Sequence, residues 1–545
     1  MTELRPDSDR TPMSISMKDR LLSLLTNDFG WLCVLALLAA IPFRDGFLRG
    51  EVVGAGPDVI STLWGMWWLQ QEGLGAIFGS ETELVNFPYG ATGIVLSPTS
   101  ALTWGLLEPL CGVGLALALV NWMQITGIAW GMLWLARVCD IPRPWHGVAG
   151  LSVLCSRYLF FSTGEASIVA IVAIALPLGL ACWVQAWKEQ GWKYHIGVVV
   201  CTVWLALENP YLATILPFAE VVAFVLHKNR RTWWFWTGIV SGMGLLTIAH
   251  AYGSAANPNY PREVAGQYIV VMGNQWSIVD LPWARLKLSE LVYPMDVAWT
   301  TSTHNAISAK GGRYFGVIPL LLALWGLRYR KTRMWCVVGV LCIVLAMGSE
   351  QHDLMLPFMV FNDVMKKVAR PLTQPTRLLV MSLVTFGVCI AWSISKIAER
   401  RHGRFLAWGI SVVMLLEGLL LGGLGLQSPN TQLPTVSCTI PGEGGVLIWP
   451  EDRKDGELGL SRLLQLSHGH PTPQMGIASW KQADNAAMHG LRGAGFSLGS
   501  TQWKEQKLQK LGFTHVLVTD REDLFFVPRE RYQACGEYDL VQLQP

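Results

Sequence analysis

The sequence predicts an all-α polytopic membrane protein that ends in a small α/β domain outside the membrane. Hydrophobic residues make up 51% of the 545 residues and charged residues only 15%, which is far from the composition of an average soluble protein. Long apolar stretches alternate with short basic connections as far as residue 426. From residue 427 onward, polar segments separate shorter runs with the pattern of strands and helices.

The apolar stretches set the number of membrane spans. A bilayer core is crossed by about 20 mostly apolar residues per helix, which gives about 11 spans in this chain. They are predicted at residues 22–43, 113–137, 146–162, 167–187, 194–209, 211–227, 233–252, 314–329, 333–349, 377–395 and 405–426. The short stretches between 146 and 209 either cross separately, merge or are partly re-entrant. The first span is either an anchor or a cleaved signal peptide, because its uninterrupted apolar run, 31–43, is short.

Basic residues orient these spans, because Lys and Arg in short loops stay on the cytoplasmic side. They precede the first span and follow every second one, so the N-terminus is predicted inside and everything after residue 426 outside. These residues are Arg5, Arg10, Lys18 and Arg20, then Arg137, Arg143, Lys188, Lys193, Lys228, Arg230, Arg231, Arg328, Arg330, Lys331, Arg333, Lys396, Arg400, Arg401 and Arg404.

The predicted domain organisation follows from this topology. It comprises a cytoplasmic segment (1–21), a multi-span domain (22–426) with outer loops at 44–112, 253–313 and 349–376, and an outer α/β domain (427–545). Strands of the outer domain are predicted at 444–450, 514–520 and 538–544, and its helices at 457–468 and 501–513. Cys438 and Cys535 lie in this domain, where an oxidising compartment would allow them to pair; the sequence leaves that pairing open.

Several classes of function are excluded by charge and motif. The net charge is only +3, which argues against a nucleic-acid partner. The chain contains no zinc-type pair of ligands and no Walker loop.

The first outer loop carries an acidic candidate in the stretch GPDVISTLWGMWWLQQ. Asp58 follows Gly56 and Pro57 and precedes a helical pattern, so it is either the N-cap of that helix or a reactive carboxylate. Trp64, Trp67 and Trp68 share one side of the same helix. Their simplest interpretation is an aromatic belt on a helix that lies flat at the membrane interface.

Two further carboxylates occupy outer turns, Glu165 in STGEAS and Glu208 in LENPY. Each is either a solvated turn residue or part of a site on the outer face. Glu220 and Glu417 lie within predicted spans, where a carboxyl group is costly and often functional.

Cationic candidates on the same face precede a span in ARPLTQPTRLL. Arg370 and Arg377 run against the usual charge bias outside the membrane, and a guanidinium group suits a phosphate. The alternative is that they pair with nearby carboxylates or with lipid headgroups. His304, Lys310 and Arg313 form a weaker second cluster.

The order of these features resembles that of the bacterial GT-C glycosyltransferase superfamily, integral enzymes that take a sugar from a polyprenyl-phosphate carrier on the extracytoplasmic face. A first span is followed by GPD and a tryptophan-rich helix. The other matching stretches are NFPYGATGIVLSPTSALTWGLLEPL, YLFFSTGEASIVAIVAIALPL, GGRYFGVIPLLLALWGL, LAMGSEQHDLMLPFMVFNDVMKKVARPLTQPTRLL and, in the tail, GGVLIWPEDR, LSHGHPTPQMGIAS and LGFTHVLVTD.

The resemblance implies a bacterial inner-membrane enzyme and a role for each candidate. Asp58 would be the catalytic base, in an inverting transfer to a lipid, glycan or protein acceptor. The substrate-binding residues would be Arg377 and Arg370 at the lipid phosphate, Glu165 or Glu208 at sugar or acceptor hydroxyl groups, Trp64 and Trp68 against lipid or a sugar face, and His304. Members often have a histidine where this chain has Glu165.

No metal ligands are assigned, because the first loop has no Asp-x-Asp or Asp-Glu pair; a divalent metal stays open as a cofactor. Two alternatives also stay open. One is a non-catalytic GT-C-like subunit of a membrane complex, for which Asp58 would be dispensable. The other is a lipid or solute transporter, whose carboxylates would lie in mid-membrane and whose halves would usually show an internal repeat.

Overall fold

The structure is a computed structural model that describes part of the chain. The described residues are 28–54, 57–78, 80–82, 84, 91–93, 97–164, 174–189, 191–208, 242, 288–292, 313–347, 375–425, 430–431, 433, 436–449, 460–472, 501–518 and 527–544.

Helices dominate the described residues up to 425. In chain order they are α1 (Asp28–Ala40), α2 (Arg44–Arg49), α3 (Pro57–Glu72), α4 (Gly75–Phe78), α5 (Pro98–Cys111), α6 (Val113–Val138), α7 (His146–Cys155), α8 (Arg157–Gly164), α9 (Ala175–Glu189), α10 (Trp192–Glu208), α11 (Val317–Trp325), α12 (Arg330–Ala346), α13 (Leu379–Ala398) and α14 (Gly403–Leu420). Three short strands, β1 (Val52–Val53), β2 (Ser80–Thr82) and β3 (Ala91–Gly93), lie in the first predicted outer loop.

Four helical stretches within the described residues are long and apolar enough to cross a membrane. They are Asp28–Arg49, Val113–Val138, Thr376–Ala398 and Gly403–Leu420. The predicted spans 211–227 and 233–252 lie outside the described residues, apart from Gly242. A mostly helical chain with candidate membrane spans is therefore confirmed, whereas the predicted number of about 11 spans stays a prediction.

One predicted span, 146–162, is broken in two. The backbone of Ser156 is extended between α7 and α8, so the helix stops after Cys155 and restarts at Arg157. The Ser156 hydroxyl donates to the carbonyl oxygen of Tyr314 at 3.3 Å, and the Arg157 amide donates to the same carbonyl at 2.9 Å. The break is thus satisfied by a neighbouring loop, as a non-helical backbone at membrane depth requires.

Helix α13 is the centre of the membrane domain. Its whole apolar span is buried, and α6, α7, α11, α12 and α14 pack around it. Small residues allow this close approach, because a Cβ atom added to Gly339 of α12 would lie 2.4 Å from the ring of Phe386. The hydroxyl of Ser382 also donates to the Gly339 carbonyl at 2.9 Å.

The C-terminal part contains a four-stranded sheet in the order β5-β6-β8-β7. The strands are β5 (Gly445–Trp449), β6 (Phe513–Val518), β7 (Tyr532–Cys535) and β8 (Tyr538–Gln542), and the helices are α15 (Leu460–His468) and α16 (Thr501–Lys510). Strands β5 and β6 are parallel, and the other two pairs are antiparallel. All three strands and both helices expected from the sequence are present with shifted ends, while β7 was not expected.

One strand pairing joins this sheet domain to the membrane domain, and one disulfide links two segments within the sheet domain. A short strand after the last span, β4 (Asn430–Thr431), pairs antiparallel with β1. Cys438 and Cys535 form a disulfide across 97 positions, which settles the pairing that the sequence left open. The bridge ties the segment that leads into β5 to the end of β7.

Removing this disulfide should destabilise the C-terminal domain. Closing a loop of 97 positions is worth roughly 4 to 5 kcal/mol in the chain-entropy model. The double variant Cys438→Ser/Cys535→Ser should therefore unfold at a urea concentration roughly 1.5 M lower, or more, in pulse proteolysis of the full-length protein. Cys33→Ser, which removes an exposed free thiol, is the control. An unchanged midpoint in the double variant would contradict the expectation.

Candidate functional site

Helix α3 carries Asp58 at its second position. Pro57 is the first helical residue, where its fixed φ and missing N–H are well tolerated. Asp58 thus lies inside the helix, and the alternative that it is the N-cap differs from the structure. An acidic residue in the first turn still suits the helix dipole. The side chain of Asp58 lies outside the described residues, so its role as a base stays a prediction.

The tryptophans of α3 are buried inside the protein. Trp64 and Trp68 have no exposed surface, and their rings stack with centroids 6.2 Å apart. They belong to an apolar cluster that includes Trp104 of α5. The interfacial-belt interpretation is therefore wrong for these two rings. Their predicted role in substrate binding stays a prediction. They anchor the helix whose first turn carries Asp58.

Helix α15 of the C-terminal domain packs on α3 through one buried amide. Oε1 of Gln465 accepts a hydrogen bond from the Trp64 indole at 2.8 Å. Nε2 of Gln465 donates to the carbonyl oxygens of Leu84, at 2.5 Å, and His470, at 3.1 Å. The Leu84 carbonyl also accepts from the Thr472 amide at 3.0 Å. The C-terminal domain thus helps to hold α3.

Glu208 lies at the end of α10 and is 1% exposed. The alternative that it is a solvated turn residue is therefore wrong. Its Oε1 accepts a hydrogen bond from the Thr99 amide, in the first turn of α5, at 2.6 Å. Ser97 occupies the N-cap position in a left-handed conformation, and its own side chain makes no capping bond. Glu208 takes over that function from a different helix. Its second oxygen, Oε2, has no hydrogen-bond partner in the described part of the chain.

Buried polar residues of α6 extend this group. The Gln124 amide donates to the Ser100 hydroxyl at 2.5 Å, one residue beyond Thr99. Asn121 lies one helical turn from Gln124 and is also buried. Oδ1 of Asn121 and Oε1 of Gln124, like Oε2 of Glu208, accept no hydrogen bond from the described residues. We call Asn121, Gln124 and Glu208 the acceptor cluster, because each has an oxygen available for a donor.

Glu417 has a structural role of the same kind. Its carboxylate accepts from the Tyr314 hydroxyl at 2.5 Å and from the amides of Val317 and Ile318 at 2.6 and 3.3 Å. These amides open helix α11, so Glu417 caps α11 from α14. The carboxyl group within this predicted span is therefore accounted for by capping.

Arg377 lies in a 3-10 turn, Pro375–Leu378, immediately before α13. Its side chain is half-buried. The Tyr158 hydroxyl donates to the carbonyl oxygen of the adjacent Thr376 at 3.0 Å. Because Tyr158 lies in the first turn of α8, this bond fixes the arginine segment beside the start of α8.

The weaker cationic cluster is only partly described. Arg313 makes a buried ion pair with Glu290 at 2.7 Å, which accounts for one of its members. Glu165, Glu220, His304, Lys310 and Arg370 lie outside the described residues. Their predicted roles are neither supported nor contradicted. Among the described residues, no group of three His, Cys, Asp or Glu is arranged to hold a metal.

Sequence reasoning did not select Asn121, Gln124 or Gln465. The first two stand in NWMQ within a predicted span, and polar amides inside an apolar stretch are a usable signal. Gln465 is one polar residue among several in an amphipathic helix, and nothing local marks it. Its importance depends on a contact with Trp64, 401 positions away.

Comparison with known proteins gives similarity in structure but not in sequence. No protein-family model matches the chain, and no curated protein matches its sequence. Arabinofuranosyltransferase AftD from Mycobacteria is similar over 90% of this chain, with a TM-score of 0.52 and 14% identity. The oligosaccharyltransferase AglB from Archaeoglobus fulgidus is similar over 92% of it, with a TM-score of 0.50 and 12% identity. Both neighbours are GT-C glycosyltransferases.

The chain has a GT-C fold. The resemblance inferred from the order of motifs is thereby confirmed at the level of the fold. The chain spans 37% of the length of AftD and 69% of that of AglB. The AglB structure holds an inhibitory peptide and a dolichol-phosphate.

The C-terminal domain should become less stable in acid through His468. Nδ1 of His468 accepts from the His470 amide at 3.0 Å, and Nε2 is buried with no partner in the described part of the chain. Burial, with a smaller effect of nearby His470, lowers the pKa of His468 from 6.5 to about 3. The native imidazole is therefore neutral, and protonating it would break the bond from His470.

Because the native pKa is the lower one, stability is constant above about pH 6.5 and falls as the pH drops toward 3. We expect the C-terminal domain to be about 2 kcal/mol less stable at pH 5 than at pH 7. In urea unfolding at each pH, His468→Gln should remove most of this slope, leaving a smaller part from His515, whose pKa burial also lowers. An unchanged slope in His468→Gln would refute the assignment; His402→Gln is the control on an exposed histidine.

Proposed function

We propose that the protein is a membrane glycosyltransferase that moves a sugar from a polyprenyl-phosphate donor to an acceptor on the extracytoplasmic face. The observation that carries the proposal is the GT-C fold, which extends over nine-tenths of the chain. A neighbour with this fold binds a dolichol-phosphate, and a polyprenyl phosphate belongs to the same chemical class. The acceptor is a lipid, glycan or protein.

Two observations support the proposed location of the site in a bacterial inner membrane, with the C-terminal domain outside. The Cys438–Cys535 disulfide is of the kind that persists in oxidising compartments such as the periplasm. Basic residues cluster in every second connection, as in cytoplasmic loops. The N-terminus would then be cytoplasmic, and the segments around Asp58, Glu208 and Arg377 would face outward.

In the proposed reaction, an acceptor hydroxyl oxygen attacks the anomeric carbon of the donor sugar. Asp58 takes the hydroxyl proton while the bond from the anomeric carbon to the phosphate oxygen breaks, and the configuration at that carbon inverts. The polyprenyl phosphate leaves with the bonding electron pair. Because this leaving group is already stable as an anion, a base and a phosphate-binding cation are the main requirements.

Arg377 would bind the lipid phosphate and stabilise the charge that builds up as the bond breaks, together with Arg370. The bond from Tyr158 to the Thr376 carbonyl supports this role, because it restrains the segment that carries Arg377. Positioning a cation in advance lowers the cost of binding the phosphate. His304 would contact substrate hydroxyl groups.

The acceptor cluster would orient the sugar or the acceptor. A sugar presents several hydroxyl donors, and Asn121, Gln124 and Glu208 each present an oxygen to which no described residue donates. A buried acceptor left without a donor costs about 1 to 3 kcal/mol, which a bound hydroxyl would recover. Glu165 would act on the same face. Glu208 would also keep α5 in place through Thr99.

Asp58→Asn tests the proposal together with its alternative, a non-catalytic GT-C-like subunit of a membrane complex. The variant keeps the shape of the side chain but loses the base, so we expect transfer to fall by at least about a hundredfold. The assay is release of polyprenyl phosphate from a panel of polyprenyl-phosphate hexoses and pentoses by membranes that hold the native acceptor. Asp45→Asn is the matched control, because Asp45 also lies in the first turn of a helix in this outer loop.

Equal expression and a similar melting temperature would show that Asp58→Asn is folded. Full transfer by a folded variant would exclude Asp58 as the base. If the wild-type protein also releases no polyprenyl phosphate, and Asp58→Asn still restores the envelope glycan of a strain that lacks the protein, the structural subunit is the correct assignment.

Arg377→Ala tests the phosphate contact. Losing a charge-assisted bond to phosphate should raise the Kd for a polyprenyl-phosphate donor by about tenfold or more. Donor binding is measured by competition with a fluorescent polyprenyl phosphate on the purified protein. The control is Arg328→Ala, which removes a cation from the 3-10 turn that follows α11. Unchanged donor affinity in Arg377→Ala would remove the proposed role.

A further inference from the structure

A cavity lies at the C-terminal end of α6, opposite the end that follows α5. It has a volume of about 540 Å³ and lies where the end of α6, the end of α9 and the start of α10 meet. The side chains that give it its chemistry are Trp134, Arg137, Asp140, Lys188 and Tyr194. The connections at this end are among the basic ones, so the cavity is on the predicted cytoplasmic side.

The cavity contains two cations, one of which is held in an exposed ion pair. Arg137 makes no ion pair with any described residue and is exposed. Nζ of Lys188 pairs with the Asp140 carboxylate at 2.6 Å, and the two side chains are 38% and 60% exposed. An exposed pair of this kind contributes little to stability, so Lys188 can exchange Asp140 for another anion at low cost. Two cations are thus available to one ligand.

The surroundings of the cavity suit a lipid rather than a soluble anion. Trp130, Trp134 and Arg137 follow one another at spacings of four and three along α6, so they share one face of a helix that is long and apolar enough to cross a membrane. Trp130 is 52% exposed, and Trp192 at the start of α10 is 75% exposed. Exposed tryptophans beside cations are typical of the level of the lipid headgroups.

We infer that this cavity binds the phosphate headgroup of an anionic phospholipid from the adjacent leaflet. Arg137 and Lys188 would contact the phosphate, Trp134 and Tyr194 would line the glycerol, and the acyl chains would follow the exposed apolar face of α6. Basic pockets between membrane helices on the cytoplasmic side are suited to such headgroups. The volume is within the range of pockets for small ligands, about 300 to 1,000 Å³. The inference is independent of the proposed sugar transfer.

Native mass spectrometry of the full-length protein, titrated with phosphatidylglycerol or phosphatidylcholine, tests this inference. We expect selective retention of phosphatidylglycerol. Arg137→Ala/Lys188→Ala should weaken its binding by about thirtyfold, since each of the two cations near an anionic lipid contributes about fivefold. The control is Arg401→Ala/Arg404→Ala, which removes two cations from the same predicted side outside the cavity. Equal retention of both lipids, or an equal loss in the control variant, would overturn the inference.

Asp140→Asn gives a test with the opposite sign. Asp140 has a φ of +60°, a conformation that asparagine adopts readily, so this variant should fold. Removing its charge frees Lys188 and removes a repulsion, so phosphatidylglycerol should bind several-fold more tightly; weaker or unchanged binding would overturn the inference. Inorganic phosphate is the final arm. If it displaces phosphatidylglycerol at equimolar concentration, the cavity binds free phosphate and the assignment to a lipid fails.

Discussion

The buried amide of Gln465 holds together three parts of the chain that are far apart in sequence. It accepts from the Trp64 indole and donates to the carbonyls of Leu84 and His470, so both ends of the amide are used. A buried amide with either end unpaired would cost about 1 to 3 kcal/mol. The position of α15 on α3 is therefore specified by hydrogen-bond geometry as well as by apolar packing. The orientation of the helix that begins with Pro57 and Asp58 depends on this contact.

Carboxylates at helix ends act as long-range caps in this fold. Glu208 supplies an acceptor to the first turn of α5, and Glu417 supplies acceptors to the first turn of α11. The amides in the first turn of a helix have no partner within the helix, and at membrane depth water is scarce. A carboxylate from a neighbouring helix meets this need and fixes the distance between the two helices. The two residues differ in one respect, because only Glu208 has an oxygen without a hydrogen bond in the described part of the chain.

The parts of the fold that local sequence determines could be predicted. Apolar length marked the span at 113–137, which the structure extends by one residue, and alternating patterns marked β5, β6 and β8. Strand β7 was missed because YQAC is short and mostly polar, and it owes its place to pairing with β8 and to the disulfide. Trp64 and Trp68 were misassigned because an aromatic face toward lipid and one toward protein have the same spacing. What lies against such a face is decided by residues far along the chain.

The contacts of β1 with β4 and of α3 with α15 join parts of the chain that the ribosome makes far apart in time. Trp64 and its partner Gln465 are separated by 401 positions. At 5 to 20 residues per second, a ribosome needs roughly 20 to 80 s to make the chain between them. During that time, α3 can pack on α5 but lacks its contact with α15. The last steps of synthesis therefore complete the packing around α3, and the Trp64 indole waits for its hydrogen bond to Gln465 until then.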